Sequence, residues 1–135
     1  MDWNECTLKK LAKKVNIDEE LAQSLLSTSE NKLASQELLP LNDTTTNSKT
    51  SLAYDALREL LEALTLRQGY KIYNHECYTA FLNEILKESA LSADFDDIRK
   101  IRNSINYYGK QITTQECEKT IKQIKKPIQT IKKKL

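Results

Sequence analysis

A chain of 135 residues with a formal net charge of +2 is long enough for one domain with a real core, and its overall charge is too small to indicate a class of partner. Glycine and proline are rare, with two of each, which favours helices almost throughout. No apolar run approaches the ~18 residues of a membrane span and no signal peptide opens the sequence, so we expect a soluble, cytoplasmic protein without membrane association. The sequence indicates no metal and no cofactor.

Three widely spaced cysteines bear on the redox compartment. Cys6, Cys77 and Cys117 are an odd number and form no CxxC pair. This pattern predicts free, mostly buried thiols in a reducing compartment, rather than a disulfide framework or a zinc site.

The first 16 residues predict a helical extension, because the pattern from Asp2 to Val15 places lysines on one side and apolar residues on the other. A second helix is predicted from about Asp18 to Leu39, since the stretch from Asn16 to Glu20 resembles a cap followed by an acidic first turn. Pro40 to Ser48 has the composition of a connector. It holds no glycine and does not resemble a phosphate-binding loop.

The strongest helical pattern runs from Lys49 to Arg67. Its apolar arc is wider than one contact requires, so we expect this helix to be central in a bundle or to contact a second subunit. Asn74 is the predicted cap of the next helix, which we expect from His75 to Glu88.

The helix predicted from Asp94 to Tyr108 opens with carboxylates, which favour a helix N-terminus, and closes at Gly109. Thr113 or Thr114 is the predicted cap of a last helix, and no segment predicts a strand. The expected fold is all-α: an up-and-down bundle of four to five helices over residues 17–135, preceded by the short N-terminal helix.

Short connectors predict that one end of this bundle gathers aromatic and basic residues. Successive helices should be antiparallel neighbours, so the turn before His75 and the end of the Asp94 helix should share one end of the bundle. Such a cluster can stack bases and bind phosphates. Tyrosines also favour the wet ends of bundles for purely structural reasons. The residues expected there are Arg67, Tyr70, Lys71, Tyr73, His75, Arg102, Asn106, Tyr107 and Tyr108.

Three stretches carry a resemblance to a known family: the helix from Tyr54 to Glu59, the turn from Gly69 to Cys77, and Arg102 to Gly109. Together they resemble the HEPN (higher eukaryotes and prokaryotes nucleotide-binding) helical domains, closest to archaeal-type members. The resemblance covers roughly Asp18 to Lys132 and implies a homodimeric bundle with a cleft at the dimer interface. In that family an Arg–x(4–6)–His motif, often followed by a tyrosine, forms the site of a metal-independent ribonuclease. Many members are toxins paired with a minimal nucleotidyltransferase antitoxin.

The family motif is broken in this chain. Counting from Arg102, Tyr107 stands at the position of the histidine. Counting from Arg99, Asn106 stands there and Tyr108 matches the trailing tyrosine. Neither register supplies an imidazole, and neither tyrosine nor an amide is a good proton acceptor near neutral pH.

Three functions therefore remain open. The first is a dimer that binds RNA, a nucleotide or a nucleotidyltransferase without catalysis. The second is a ribonuclease in which Arg102 acts with Tyr107 or with His75, the only histidine. The third is a structural dimerisation scaffold. The candidate binding residues are Tyr73, Arg99, Arg102, Asn103, Asn106, Tyr107 and Tyr108.

Overall fold

The computed structural model describes residues 1–135 and confirms the all-α prediction. Six helices are present: α1 (Trp3–Leu8), α2 (Glu19–Leu38), α3 (Thr46–Arg67), α4 (His75–Ala80), α5 (Ser89–Tyr108) and α6 (Thr114–Lys132). A π-helical segment, Phe81–Ile85, follows α4 without a break. No helix is both long and apolar enough to cross a membrane.

Helix caps account for most of the observed boundaries. Asn74 Oδ1 accepts the Glu76 N–H at 2.8 Å, as predicted, and Asp18, near which the second helix was expected to start, accepts the Leu21 N–H at 3.0 Å through Oδ1. At α6, Thr113 and Glu116 form a reciprocal capping box. The Gly109 backbone ends α5 with φ of +65°, a conformation that glycine adopts without strain.

Helix α3 lies at the centre of the domain. Most of its side chains are buried, and it packs against α2, α5, α6 and the small sheet. Leu57, Leu60, Leu61 and Leu64 are at most 1% exposed. The wide apolar arc of α3 is thus buried by other elements of the same chain, which contact the helix on several sides.

Two predicted helix starts were wrong. Helix α5 begins at Ser89, more than one turn before Asp94, and its first turn has no side-chain cap. The carboxylates that predicted the helix start do not cap the helix. One of them, Asp96, instead accepts hydrogen bonds from Arg99 and Thr79. Helix α3 begins at Thr46 and takes in the end of the expected connector.

The prediction that the chain contains no strand was also wrong. The expected first helix ends at Leu8, and β1 (Ala12–Lys14) pairs antiparallel with β2 (Tyr70–Ile72). Three-residue strands are too short to give an alternating pattern, and β1 reads as part of a basic helical face. The register places Ala12 opposite Ile72, and both are buried.

The prediction of three free thiols was wrong for two of them. Cys6 of α1 and Cys77 of α4 form a disulfide across 71 positions of sequence, and both are fully buried. Cys117 is free and buried, as predicted. The pairing depends on the packing of α1 against α4, which cysteine spacing does not reveal.

Candidate functional site

The largest of four cavities, about 430 Å³, lies where the start of α4 meets the second half of α5. Helix periodicity explains the contribution of α5, because Arg99, Arg102 and Asn103 fall at i, i+3 and i+4 and so share one face. The turn after β2 supplies the opposite wall. The lining residues are Tyr73, Asn74, His75, Glu76, Arg99, Arg102, Asn103 and Tyr107.

The structure brings together five of the seven candidate binding residues and also His75. Asn106 and Tyr108 do not line the cavity; both are exposed, Tyr108 by 84% of its side chain. Three residues expected at this end form other contacts. Arg67 pairs with Glu19 at 2.6 Å, Lys71 pairs with Glu62 at 3.4 Å, and Tyr70 packs edge-on against Trp3.

Arg102 is the only one of the four arginines without a carboxylate partner. Its guanidinium carbon lies 5.2 Å from the centre of the Tyr54 ring and 5.9 Å from that of Tyr107. One weak hydrogen bond, at 3.5 Å, reaches Asn103 Oδ1. The aromatic faces position the cation without neutralising it, so the cavity keeps one uncompensated positive charge.

Arg99, one turn earlier on α5, does have a carboxylate partner. Its Nε and Nη2 both donate to Asp96 Oδ1, at 3.1 and 2.8 Å. Partial burial alone would raise the pKa of Asp96, but hydrogen bonds from Arg99 and Lys100 hold that pKa below its usual value. The charge of Arg99 is therefore largely compensated within α5.

His75 is held by a buried tyrosine that the sequence analysis did not identify as a site residue. The Tyr54 hydroxyl lies 2.9 Å from His75 Nδ1 and has no other hydrogen-bond partner. The sequence does contain an indication of this role, because Tyr54 is the only aromatic residue of an otherwise Leu/Ala-rich helix. A buried phenol needs a hydrogen-bond partner, and a partner for Tyr54 had to come from another element.

Electrostatics keep both members of this pair neutral. Burial raises the pKa of Tyr54 well above its usual value. Burial, followed by the charges of Arg58 and Arg102, lowers the pKa of His75 to about 4. The Tyr54 hydroxyl has no other acceptor, so we assign it as the donor to Nδ1, and the proton of the neutral imidazole then lies on Nε2. His75 then offers a hydrogen-bond donor rather than a proton acceptor.

Two aromatic side chains form the rim of the cavity. Tyr73 is 54% exposed and Tyr107 is 69% exposed. Glu76, the carboxylate of the lining, lies 3.6 Å from the N-terminal ammonium group. No group of three or more His, Cys, Asp or Glu side chains in the chain is arranged to hold a metal ion.

No protein-family model matches this chain, and no curated protein is significantly similar to it. The cavity combines an unpaired guanidinium, a neutral imidazole, two side-chain amides and two exposed aromatic rings with two paired charges, Arg99 and Glu76. This set of groups suits an anion that carries a flat ring, since guanidinium and N–H groups bind oxyanions and aromatic faces stack on bases.

Proposed function

We propose that this chain is a binding protein that holds RNA or a nucleotide in the Arg102 cavity and does not cleave it. The observation that carries the proposal is the missing carboxylate partner of Arg102. A guanidinium fixed between two rings, inside a cavity of about 430 Å³, favours a phosphate as the compensating group.

Binding is favoured over cleavage because the only imidazole in the cavity is poorly suited to accept a proton at neutral pH. A general base works best when its pKa lies near the working pH. The pKa of His75 is lowered to about 4, and its Nδ1 is already hydrogen-bonded to the Tyr54 hydroxyl. The motif position after Arg102 holds Tyr107, which is a better stacking surface than base.

A metal-independent ribonuclease is the second candidate, because His75 and Arg102 line the same cavity. A bound phosphate would raise the pKa of His75 towards neutrality by adding negative charge beside it. His75 or Tyr107 would then take the proton of the ribose 2′-hydroxyl as that oxygen attacks the phosphorus, and return it to the 5′-oxygen as the P–O5′ bond breaks, while Arg102 stabilised the phosphate. Incubation with single-stranded RNA in the presence of a chelator tests this candidate, with Arg102→Ala and His75→Ala as inactive controls.

We also propose that the protein assembles through the end of α5, either as a homodimer or with a nucleotidyltransferase. Tyr107 and Tyr108 are 69% and 84% exposed at that end, beside the cavity. A partner that covers them would close the open side of the site. Sedimentation of the wild type and of Tyr108→Ser tests the homodimer: the wild type should have twice the monomer mass and Tyr108→Ser a lower one, whereas equal monomer masses would contradict it.

The decisive experiment measures the Kd of adenosine monophosphate and of a labelled single-stranded RNA for Arg102→Ala. Loss of a charge-assisted contact of ~1.5–3 kcal/mol predicts roughly 10- to 150-fold weaker binding. Arg67→Ala is the matched control, because it removes an arginine that pairs with Glu19 away from the cavity. Equal affinity in all three proteins would contradict the proposal. A loss of stability without any effect on ligand binding would instead support a structural scaffold.

A further inference from the structure

The N-terminal segment, residues 1–15, packs directly against the chain that leads into the cavity. Beyond the β1–β2 pairing, the Val15 N–H donates to the Gly69 carbonyl at 2.9 Å and the Tyr73 N–H donates to the Leu11 carbonyl at 2.7 Å. The disulfide anchors the same segment on the other side of the turn, at Cys77. The backbone of Tyr73 is therefore fixed by residues that lie outside the helical bundle.

This packing places a lysine on a cavity residue. Lys13 Nζ lies 5.4 Å from the centre of the Tyr73 ring, and Tyr73 lines the cavity that holds Arg102. Tyr73 still exposes 54% of its side chain, so much of it stays accessible beside the lysine. Lys13 and Tyr73 therefore extend the wall of the cavity outward onto the small sheet.

The charge of Lys13 is not compensated within the chain. The register places it directly opposite Lys71, and like charges in that position are unfavourable. Lys71 has a carboxylate partner, Glu62, whereas Lys13 and its exposed neighbours Lys10 and Lys14 have none. Unpaired cations beside an accessible tyrosine are the combination that binds single-stranded nucleic acids, through phosphate contacts and base stacking.

We propose that Tyr73 and Lys13 form a second subsite, continuous with the Arg102 cavity, which takes the next nucleotide of a single strand. The inference rests on the proposed function and narrows it: the preferred ligand is single-stranded RNA of at least two nucleotides, rather than a free mononucleotide. Arg102 holds one phosphate, Tyr73 stacks on the adjacent base, and Lys13 neutralises the following phosphate.

The test compares the Kd of adenosine monophosphate with that of a six-nucleotide oligoadenylate for the wild type and Lys13→Gln. The wild type should bind the oligonucleotide at least ~10-fold more tightly than the mononucleotide. Lys13→Gln should lose most of that gain, leave the mononucleotide Kd unchanged, and lower the salt dependence of oligonucleotide binding by ~0.7 in log–log slope. Because Lys13 is exposed and faces a like charge, its removal should not prevent folding.

Lys133→Gln is the matched control, since Lys133 is exposed, has no carboxylate partner and lies near the end of α6. The adjacent Lys134 pairs with Glu88. Glu88 follows both α4 and the π-helical segment, so Lys133 lies far from the start of α4, where the cavity is. Equal loss of oligonucleotide affinity in Lys13→Gln and Lys133→Gln would overturn the subsite and indicate diffuse attraction. Equal Kd values for the two ligands would also overturn it, while leaving the proposed function intact. Failure of the wild type to bind either ligand would overturn the proposed function together with the subsite.

Discussion

Reduction of the Cys6–Cys77 disulfide is expected to lower the free energy of unfolding by ~4 kcal/mol. The bond closes a loop of 71 residues, and the chain-entropy relation for a loop of that length gives this value at 25 °C. The loop includes α2 and α3, so the cross-link restricts about half of the unfolded chain. Domains of this size have only ~5–15 kcal/mol of stability in total, so the loss should be easy to measure.

Urea unfolding of the oxidised and the reduced protein measures the difference directly. Thiol alkylation in denaturant should label Cys117 alone before reduction and all three cysteines afterwards. The control is the Cys6→Ala, Cys77→Ala double variant, in which reductant should not move the unfolding midpoint. Three reactive thiols in protein prepared under oxidising conditions, or identical midpoints for the oxidised and reduced wild type, would refute the reasoning.

Two further predictions concern buried polar groups. Because the folded-state pKa of His75 lies near 4, below its unfolded value of about 6.5, the unfolded chain binds more protons between these values. Stability should therefore fall by roughly 1–2 kcal/mol as pH drops from 6.5 to 4, allowing for partial exposure, and an NMR titration of this single histidine checks the pKa. Lys49→Met should cost at least ~2 kcal/mol in urea unfolding, since the buried Lys49 amine donates to the Gln36 and Leu39 carbonyls, whereas Lys122→Met should cost little.

Local chemistry explains which helix boundaries the sequence predicted. Asp18, Asn74 and Thr113 each place a side-chain oxygen on a free N–H group of the helix that follows, and this interaction involves residues two or three positions apart. Helix α5 starts at Ser89 without such a cap, so nothing in the nearby sequence marks its beginning. The acidic stretch around Asp96 misled the prediction because carboxylates suit both a helix start and an i,i+3 pair with arginine.

Features that depend on distant parts of the chain could not be predicted from local patterns. The β1–β2 pairing and the disulfide both join the first 15 residues to the region from Tyr70 to Cys77. Neither leaves a periodic signal, because the strands span three residues each and a thiol carries no indication of its partner. The segment expected to be a helical extension instead contributes Cys6 and Ala12 to the main core.

The candidate site was more predictable than the N-terminal segment, because helix direction alone brings the end of α5 to the start of α4. The sequence even predicts that Arg102 has no carboxylate partner on its own helix. The positions three and four residues away on either side hold Ile98, Arg99, Ile105 and Asn106, so α5 offers this arginine no acid. Arg99, by contrast, has Asp96 one turn earlier. Only a carboxylate from another helix could have paired with Arg102, as Glu19 does with Arg67, and Glu76, the carboxylate of the cavity, pairs with the N-terminal ammonium group instead. A positive charge that neither its own helix nor its neighbours compensate is stabilised most by an anion from outside the chain, and Arg102 carries such a charge.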